Sequence, residues 1–280
     1  MSRPMPWDEA AVPLDGHDPA DLAARARTAM DEAGVTFGSL GDERFLLDPV
    51  PRVLSAAEWE PLAAGLAQRV RALDAFCADA YGARRIVADG VVPERVIETA
   101  ETYEPVLKGL SLPLWVGIAG LDVVRDPDGR FLVLEDNLRT PSGMAYAVAA
   151  RSVVSRLFAP ASPPAPLDGL VPLLSRALSA VSVGGGAVVL TDGPDNSAYW
   201  EHGWLARELG VPLVTPADLS LDGDRLTLGG EPVGAVYRRT NEDRVETEAG
   251  RLLLGPWRAG RVGLLNAFGT GVGDDKLAHA

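Results

Sequence analysis

The chain has 280 residues, 47% of them apolar and 23% charged, with a net charge of −13. That length gives room for one large or two ordinary domains with an ample core. The acidic balance argues against nucleic acid as a partner, since phosphate binding needs a basic surface, but it leaves room for a local basic pocket. The single Cys77 cannot form an intramolecular disulfide, which makes a reducing cytoplasm the default. The N-terminus lacks an apolar signal-type core and no run of about eighteen apolar residues occurs, so a soluble, non-exported chain without a membrane partner is expected.

Residues 1–17 are rich in Pro and Asp without periodicity and read as a loose arm. Asp18-Pro19 supplies an N-cap and a first helical residue, predicting a helix to about Ala33 with Gly34 as its stop. Val35–Phe37 and Arg44–Leu47 read as short strands. Ser55 and Glu58 have capping-box spacing. Trp59, Leu62, Leu66, Val70, Leu73, Phe76 and Tyr81 then form one helical stripe ending at Gly82. Pro61 inside this stripe predicts a start near Glu60 or a kink there. Residues 92–109 suggest a short helix and loop leading into a strand, Trp115–Val124.

From Gly120 to Gly143 the pattern is that of a hairpin. Leu121–Arg125 and Arg130–Asn137 flank Asp126-Pro127-Asp128-Gly129, which is strong turn chemistry. With Arg125 opposite Arg130, Asp122 falls opposite Val133. Period-two alternation then puts Asp122, Val124, Phe131, Val133, Glu135 and Asn137 on one face. Leu121, Val123, Leu132 and Leu134 make a core face with one misfit, Asp136. Asp122, Glu135 and Asn137 converge at the far end, and two carboxylates with an amide oxygen suit Mg²⁺. Arg139 beside them can grip a carboxylate or phosphate in bidentate fashion. A solvated acidic strand end is the plain alternative; the third oxygen on the same face and the Arg139–Gly143 tail weigh against it.

Met144–Leu157 is helical, and Ala159–Pro166 is a Pro-rich linker. The expected division is therefore an arm (1–17), a first half (18–158), a linker (159–166) and a second half (167–280). In the second half a helix (Leu167–Val181), a strand (Ala187–Leu190), a helix (Ser197–Leu209) and a strand (Val211–Val214) alternate as in a Rossmann-like parallel layer. A hairpin follows, Arg225–Leu228 with Val233–Arg238. Gly184-Gly185-Gly186 precedes a strand instead of following one, so it is no dinucleotide fingerprint. Gly269–Lys276 fails the phosphate-loop pattern because Asp274 stands where Gly is required, and reads as a loop into a helix. Arg238-Arg239 ends a strand, where an anionic substrate could dock or a solvated pair could sit. His17, His202 and His279 are too scattered for a metal cluster, and the lack of a nucleophile elbow argues against nucleophilic hydrolysis.

Leu134-Glu135-Asp136-Asn137-Leu138-Arg139-Thr140-Pro141-Ser142-Gly143 resembles the circularly permuted ATP-grasp type 2 family, relatives of glutathionylspermidine synthetase. Asp48–Arg52, Gln68–Leu73, Val236–Arg239 and Asn266–Lys276 are similar to it in the same order. The resemblance implies an α/β fold, an ATP-grasp-like mixed sheet with flanking helices plus a Rossmann-like pre-ATP-grasp layer. It also implies a ligase that uses ATP and Mg²⁺ to join a small-molecule or peptide carboxylate to an amine through an acyl-phosphate. In that role Asp122, Glu135 and Asn137 hold Mg²⁺, and Arg139 acts on the phosphoryl group together with Glu135. Thr140, Ser142, Gly143, Arg238, Arg239, Asn266 and Lys276 contact substrate. Two departures stand out: many relatives carry Arg at the position of Gly120, and often His near Gly117. The chain also stops at Ala280, before the segment that grasps ATP in relatives. The expectation is thus a truncated ligase, with a non-catalytic binding module, or a partner chain that supplies the ATP-binding segment, as the alternative.

Overall fold

The computed structural model describes residues 16–157, 164–240 and 244–276. Asp18 accepts a hydrogen bond from Ala20 N and starts α1 (Pro19–Glu32), which buries Leu22, Ala26 and Met30. A short hairpin follows, β1 (Thr36–Phe37) with β2 (Glu43–Arg44), so Phe45–Leu47 lies outside the strand expected there. α2 (Ala56–Tyr81) opens with the full Ser55/Glu58 capping box. That box satisfies the first turn, and the helix therefore starts before Pro61 and continues through it. So close to the N-terminus a proline forfeits a single backbone bond. The C-terminal half of α2 buries Leu73, Cys77, Ala80 and Tyr81, whereas Trp59 near its start is 51% exposed. Two short helices follow, α3 (Arg85–Ala88) and α4 (Glu94–Glu98).

The strand expected from Trp115 begins only at Gly120. Asp74 Oδ1 accepts the N–H groups of Trp115 and Val116 at 2.8 and 2.9 Å, and Asn266 Oδ1 accepts those of Gly117 and Ile118 at the same distances. Side chains thus take the backbone donors that a ladder would need. The hairpin proper is β3 (Gly120–Arg125) with β4 (Phe131–Asn137), and α5 (Met144–Leu157) follows it.

The second half holds α6 (Leu170–Val181), β5 (Gly186–Thr191), α7 (Tyr199–Leu209), β6 (Leu213–Val214), β7 (Leu219–Asp222), β8 (Arg225–Leu228), β9 (Glu231–Arg239), α8 (Glu248–Arg258) and β10 (Gly263–Leu265). β6 and β5 pair in parallel, as expected of a Rossmann-like layer, and β9 and β10 extend it, also in parallel. The β7–β8 hairpin extends from the first residues of β9 in antiparallel fashion. β7, α8 and β10 had no counterpart in the sequence reading.

One apolar core links the two halves, running from Leu73, Tyr81, Trp115 and Leu138 to Leu190, Val236 and Phe268. The segment after β10 leaves the layer and packs back onto the first half. Tyr81 Oη donates to Gly269 O at 3.0 Å, and Thr270 Oγ1 donates to Leu138 O at 3.0 Å. Gly269 and Thr270, from the expected second half, are thus bonded to residues of the first. Residues 1–15 of the arm and 158–163 at the linker lie outside the described residues. No described helix is long and apolar enough to cross a membrane.

Candidate metal and anion site

The hairpin register decides the site. Arg125 pairs with Phe131 and Val123 with Val133, then a bulge shifts the ladder so that Asp122 pairs with Glu135 and Gly120 with Asn137. The extra residue flips the faces relative to the sequence expectation. Phe131 and Val133 turn toward α2, where they share a groove with Leu62 and Leu66. Leu132 and Leu134, expected in the core, are 44% and 60% exposed. Asp136 stops being a misfit: Arg69 of α2 donates to it through Nε and Nη2 at 2.7 and 2.6 Å. Beyond the bulge, Asp122, Glu135 and Asn137 still share one face, as expected, with the two carboxylates directly opposite instead of diagonal. Directly paired residues have Cβ atoms about 4.5–5.5 Å apart. Neither carboxylate has a hydrogen-bond or ion-pair partner among the described residues.

This end of the hairpin opens into a cleft of about 340 Å³ lined by Gly120, Asp122, Asn137, Arg139, Thr140, Pro141, Ser142 and Asp274. Arg139 donates from Nε to Asp274 Oδ2 at 2.8 Å, and its side chain remains 45% exposed. Thr140 Oγ1 reaches Thr240 O at 3.4 Å. Among the described residues no group of three or more His, Cys, Asp or Glu could hold a metal. Asp122 and Asn137 line the cleft, while Glu135 does not line it and stands beside Asp122 in the ladder, so a cation here would draw on at most these two carboxylates and the amide oxygen.

The floor behind the cleft is built differently. Arg239 donates to Pro141 O, to Ser142 Oγ and, at 3.2 Å, to Glu201 Oε1. Glu201 in turn accepts from Gly143 N at 2.9 Å and Ala145 N at 2.9 Å, closing the first turn of α5. Next to Glu201, His202 is bonded through Nδ1 to Thr191 Oγ1 at 2.8 Å. Burial, then the Arg239 charge, pushes its pKa down to about 3, so the ring is neutral at physiological pH. Burial pushes the Tyr237 phenol up to about 12.

Several residues expected to meet substrate are turned inward instead. Arg238 is fully buried, donates to Asn266 O and Ala267 O at 3.0 Å each, and stacks on Phe268 at 3.9 Å. Arg239 is 2% exposed and braces the 141–143 loop. Asn266, 3% exposed, has its amide engaged at both ends, accepting from Gly117 and Ile118 and donating to Ile118 O and Leu138 O. Lys276 is exposed at the edge of the described residues and does not line the cleft. Asp274 was missed: its hydrogen-bond partner Leu138 lies 136 positions away, a distance over which spacing carries no signal.

Residues 51–280 match the family described as circularly permuted ATP-grasp type 2. The chain belongs to this family. Among curated relatives, a protein named putative glutamate–cysteine ligase 2-2 from Frankia casuarinae is 42% identical over 274 residues, covering 89% of this chain and 32% of the relative. Another, putative glutamate–cysteine ligase 2-3 from Frankia alni, is 42% identical over 95% of this chain and 34% of its own length. An uncharacterized protein of Synechocystis sp. is 40% identical, over 91% and 58% respectively. The chain thus spans between a third and three-fifths of these relatives. A solved apo structure of a glutathione synthetase-like effector from Globodera pallida superposes with a TM-score of 0.57 at 14% identity, over 95% of this chain and 66% of that one, and shares the fold.

In this ATP-grasp chain Gly120 and Gly117 are closely packed. A Cβ on Gly120 would lie 2.9 Å from Pro141 Cβ, and one on Gly117 would lie 2.2 Å from Leu265 Cδ1. A side chain at 120 would press on the Pro141 loop and one at 117 on the Leu265 side chain, and Arg139 is the cation that lines the cleft.

Proposed function

We propose that this chain carries the metal and acyl-phosphate side of an ATP-dependent ligase that joins a carboxylate to an amine. The observation that carries the reading is the direct pairing of Asp122 with Glu135, both exposed and without a partner among the described residues, beside the cleft that Asp122, Asn137 and Arg139 line. Like charges directly opposite in a ladder are destabilising. A divalent cation between them reverses that sign, and the oxygen-only donor set fits Mg²⁺, which usually takes one or two protein carboxylates. When bound with ATP, Mg²⁺ neutralises charge on the β- and γ-phosphates during transfer.

The chain's own residues do the rest. Asp122, Glu135 and Asn137 fix where the charged end of the nucleotide sits. Arg139 offers a planar donor pair to the phosphoryl group as it moves to the substrate carboxylate. Thr140 and Ser142 line the cleft and present hydroxyls to orient that carboxylate, while Gly143, its N–H held by Glu201, keeps their loop in place. An amine then attacks the acyl carbon, and the phosphate leaves as the amide forms. The names of the Frankia relatives describe the same class of bond.

The test is calorimetric titration of ATP into the 280-residue chain, with and without Mg²⁺. Micromolar, Mg²⁺-dependent affinity that Glu135→Gln abolishes is expected. Absent or millimolar affinity favours the other reading, a binding module whose nucleotide grip comes from elsewhere. In any form of the protein that turns over Mg·ATP, Glu135→Gln is expected to stop that turnover; near-normal ADP release by the variant would overturn the role.

A further inference from the structure

Asp274 sits at the point where the returning segment meets the cleft. Its Oδ1 accepts Leu138 N at 2.8 Å and its Oδ2 accepts Arg139 Nε at 2.8 Å. The carboxylate is well covered, with 13% of its side chain exposed. Leu138 is also held from its other side, its carbonyl accepting from Asn266 Nδ2 at 2.6 Å and Thr270 Oγ1 at 3.0 Å. The loop that brings Asp274 in is glycine-built for this approach. A Cβ on Gly271 would lie 2.9 Å from Arg139 Cδ, and one on Gly273 would lie 2.6 Å from Leu138 Cδ1.

Holding a guanidinium by Nε has a specific consequence. The planar group can no longer roll freely about its stem, and its two terminal nitrogens stay free as a parallel donor pair. Among the described residues no group bonds Nη1 or Nη2 of Arg139. We infer that Asp274 is a positioning residue, which anchors Arg139 by Nε so that its Nη pair addresses a phosphate or carboxylate in the cleft. This rests on the reading of Arg139 as the anion-binding group, and adds a dependence of the cleft on a segment distant in sequence.

Asparagine at 274 separates the two bonds, because its side-chain oxygen can still accept Leu138 N while its amide nitrogen cannot accept from Arg139. The experiment is an NMR titration of acetyl phosphate, a small acyl phosphate, against the wild-type chain, Asp274→Asn, Arg139→Gln and the double variant. Loss of one charge-assisted contact predicts about tenfold weaker binding for Asp274→Asn. The same change on the Arg139→Gln background is expected to have no further effect, since coupled groups are not additive. Equal losses on both backgrounds would show that Asp274 acts through the fold alone and would overturn the inference. A wild-type chain that fails to bind acetyl phosphate counts against the ligase reading instead. In that case the solvent exchange of the Arg139 Nε proton decides: faster exchange in Asp274→Asn supports the anchor, and unchanged exchange overturns it.

Discussion

On the hairpin side of the cleft, Asp122 and Glu135 stand exposed and opposite each other with no partner among the described residues. On the side of the layered sheet, Glu201 and Arg239 are 0% and 1% exposed and bonded to each other. Glu201 also accepts Gly143 N and Ala145 N, and Arg239 also holds Pro141 O and Ser142 Oγ. The difference separates charge that builds from charge that waits. A buried ion is tolerated only when paired and further hydrogen-bonded, and this pair meets that condition by fastening the loop between β4 and α5. Two like charges in register serve no such end, and the proposed reading gives them a cation as complement. The arginines divide the same way: Arg239 is locked in the floor, while Arg139 keeps two nitrogens for the cleft.

The largest effect that would test this contrast is on stability. Arg239→Ala leaves Glu201 buried without its cation, and breaking such a pair costs about 3–5 kcal/mol. Arg139→Ala removes a half-exposed pair with Asp274 and is expected to cost about 0.2–1 kcal/mol. Urea unfolding of both variants measures the gap. Losses of similar size would erase the distinction between the buried brace and the half-exposed arginine of the cleft.

Much of the hairpin end was legible in the sequence. Asp122, Glu135 and Asn137 do share a face, because the turn chemistry of Asp126–Gly129 and the alternation of β4 are local signals. What was not legible came from partners far away. The bulge at Leu134 moved Leu132 and Leu134 into solvent and gave Asp136 to Arg69, a contact across 67 positions. Trp115–Ile118 has strand composition, yet Asp74 and Asn266 took its backbone donors, so tertiary capture overrode propensity. Arg238 and Arg239 look alike in sequence to any surface basic pair; only burial among Phe268, Glu201 and the 141–143 loop shows that they point inward. The helix α8 and strand β10 carry weak local patterns and are fixed by packing against β8 and β9.

A second, intermediate effect sharpens the buried side. His202 has an ordinary pKa of 6.5 and a folded value near 3, because burial and Arg239 oppose its charge. Between those values the unfolded chain binds a proton that the folded chain refuses, so stability falls as pH drops below 6.5 and is unaffected by this residue above it. The limiting slope is about 1.4 kcal/mol per pH unit. From pH 7 to pH 5 the wild type is expected to lose about 1–2 kcal/mol more than His202→Gln in paired urea unfolding curves. Parallel losses would mean that the ring is already charged or solvated in the fold.

The smallest effect tests the exposed side, and its sign is what matters. Without divalent cation, Glu135→Gln removes repulsion from Asp122 across the ladder while keeping the side chain's shape. The variant is expected to be more stable than the wild type by about 0.2–1 kcal/mol, and less so at high salt. With Mg²⁺ the order reverses, since a ligand that binds only the folded state raises its stability by mass action. The wild-type Tm should climb with Mg²⁺ concentration and that of Glu135→Gln should stay flat. Mg²⁺ stabilisation that survives in Glu135→Gln would put the cation elsewhere and return Asp122 and Glu135 to the ordinary acidic end of a hairpin.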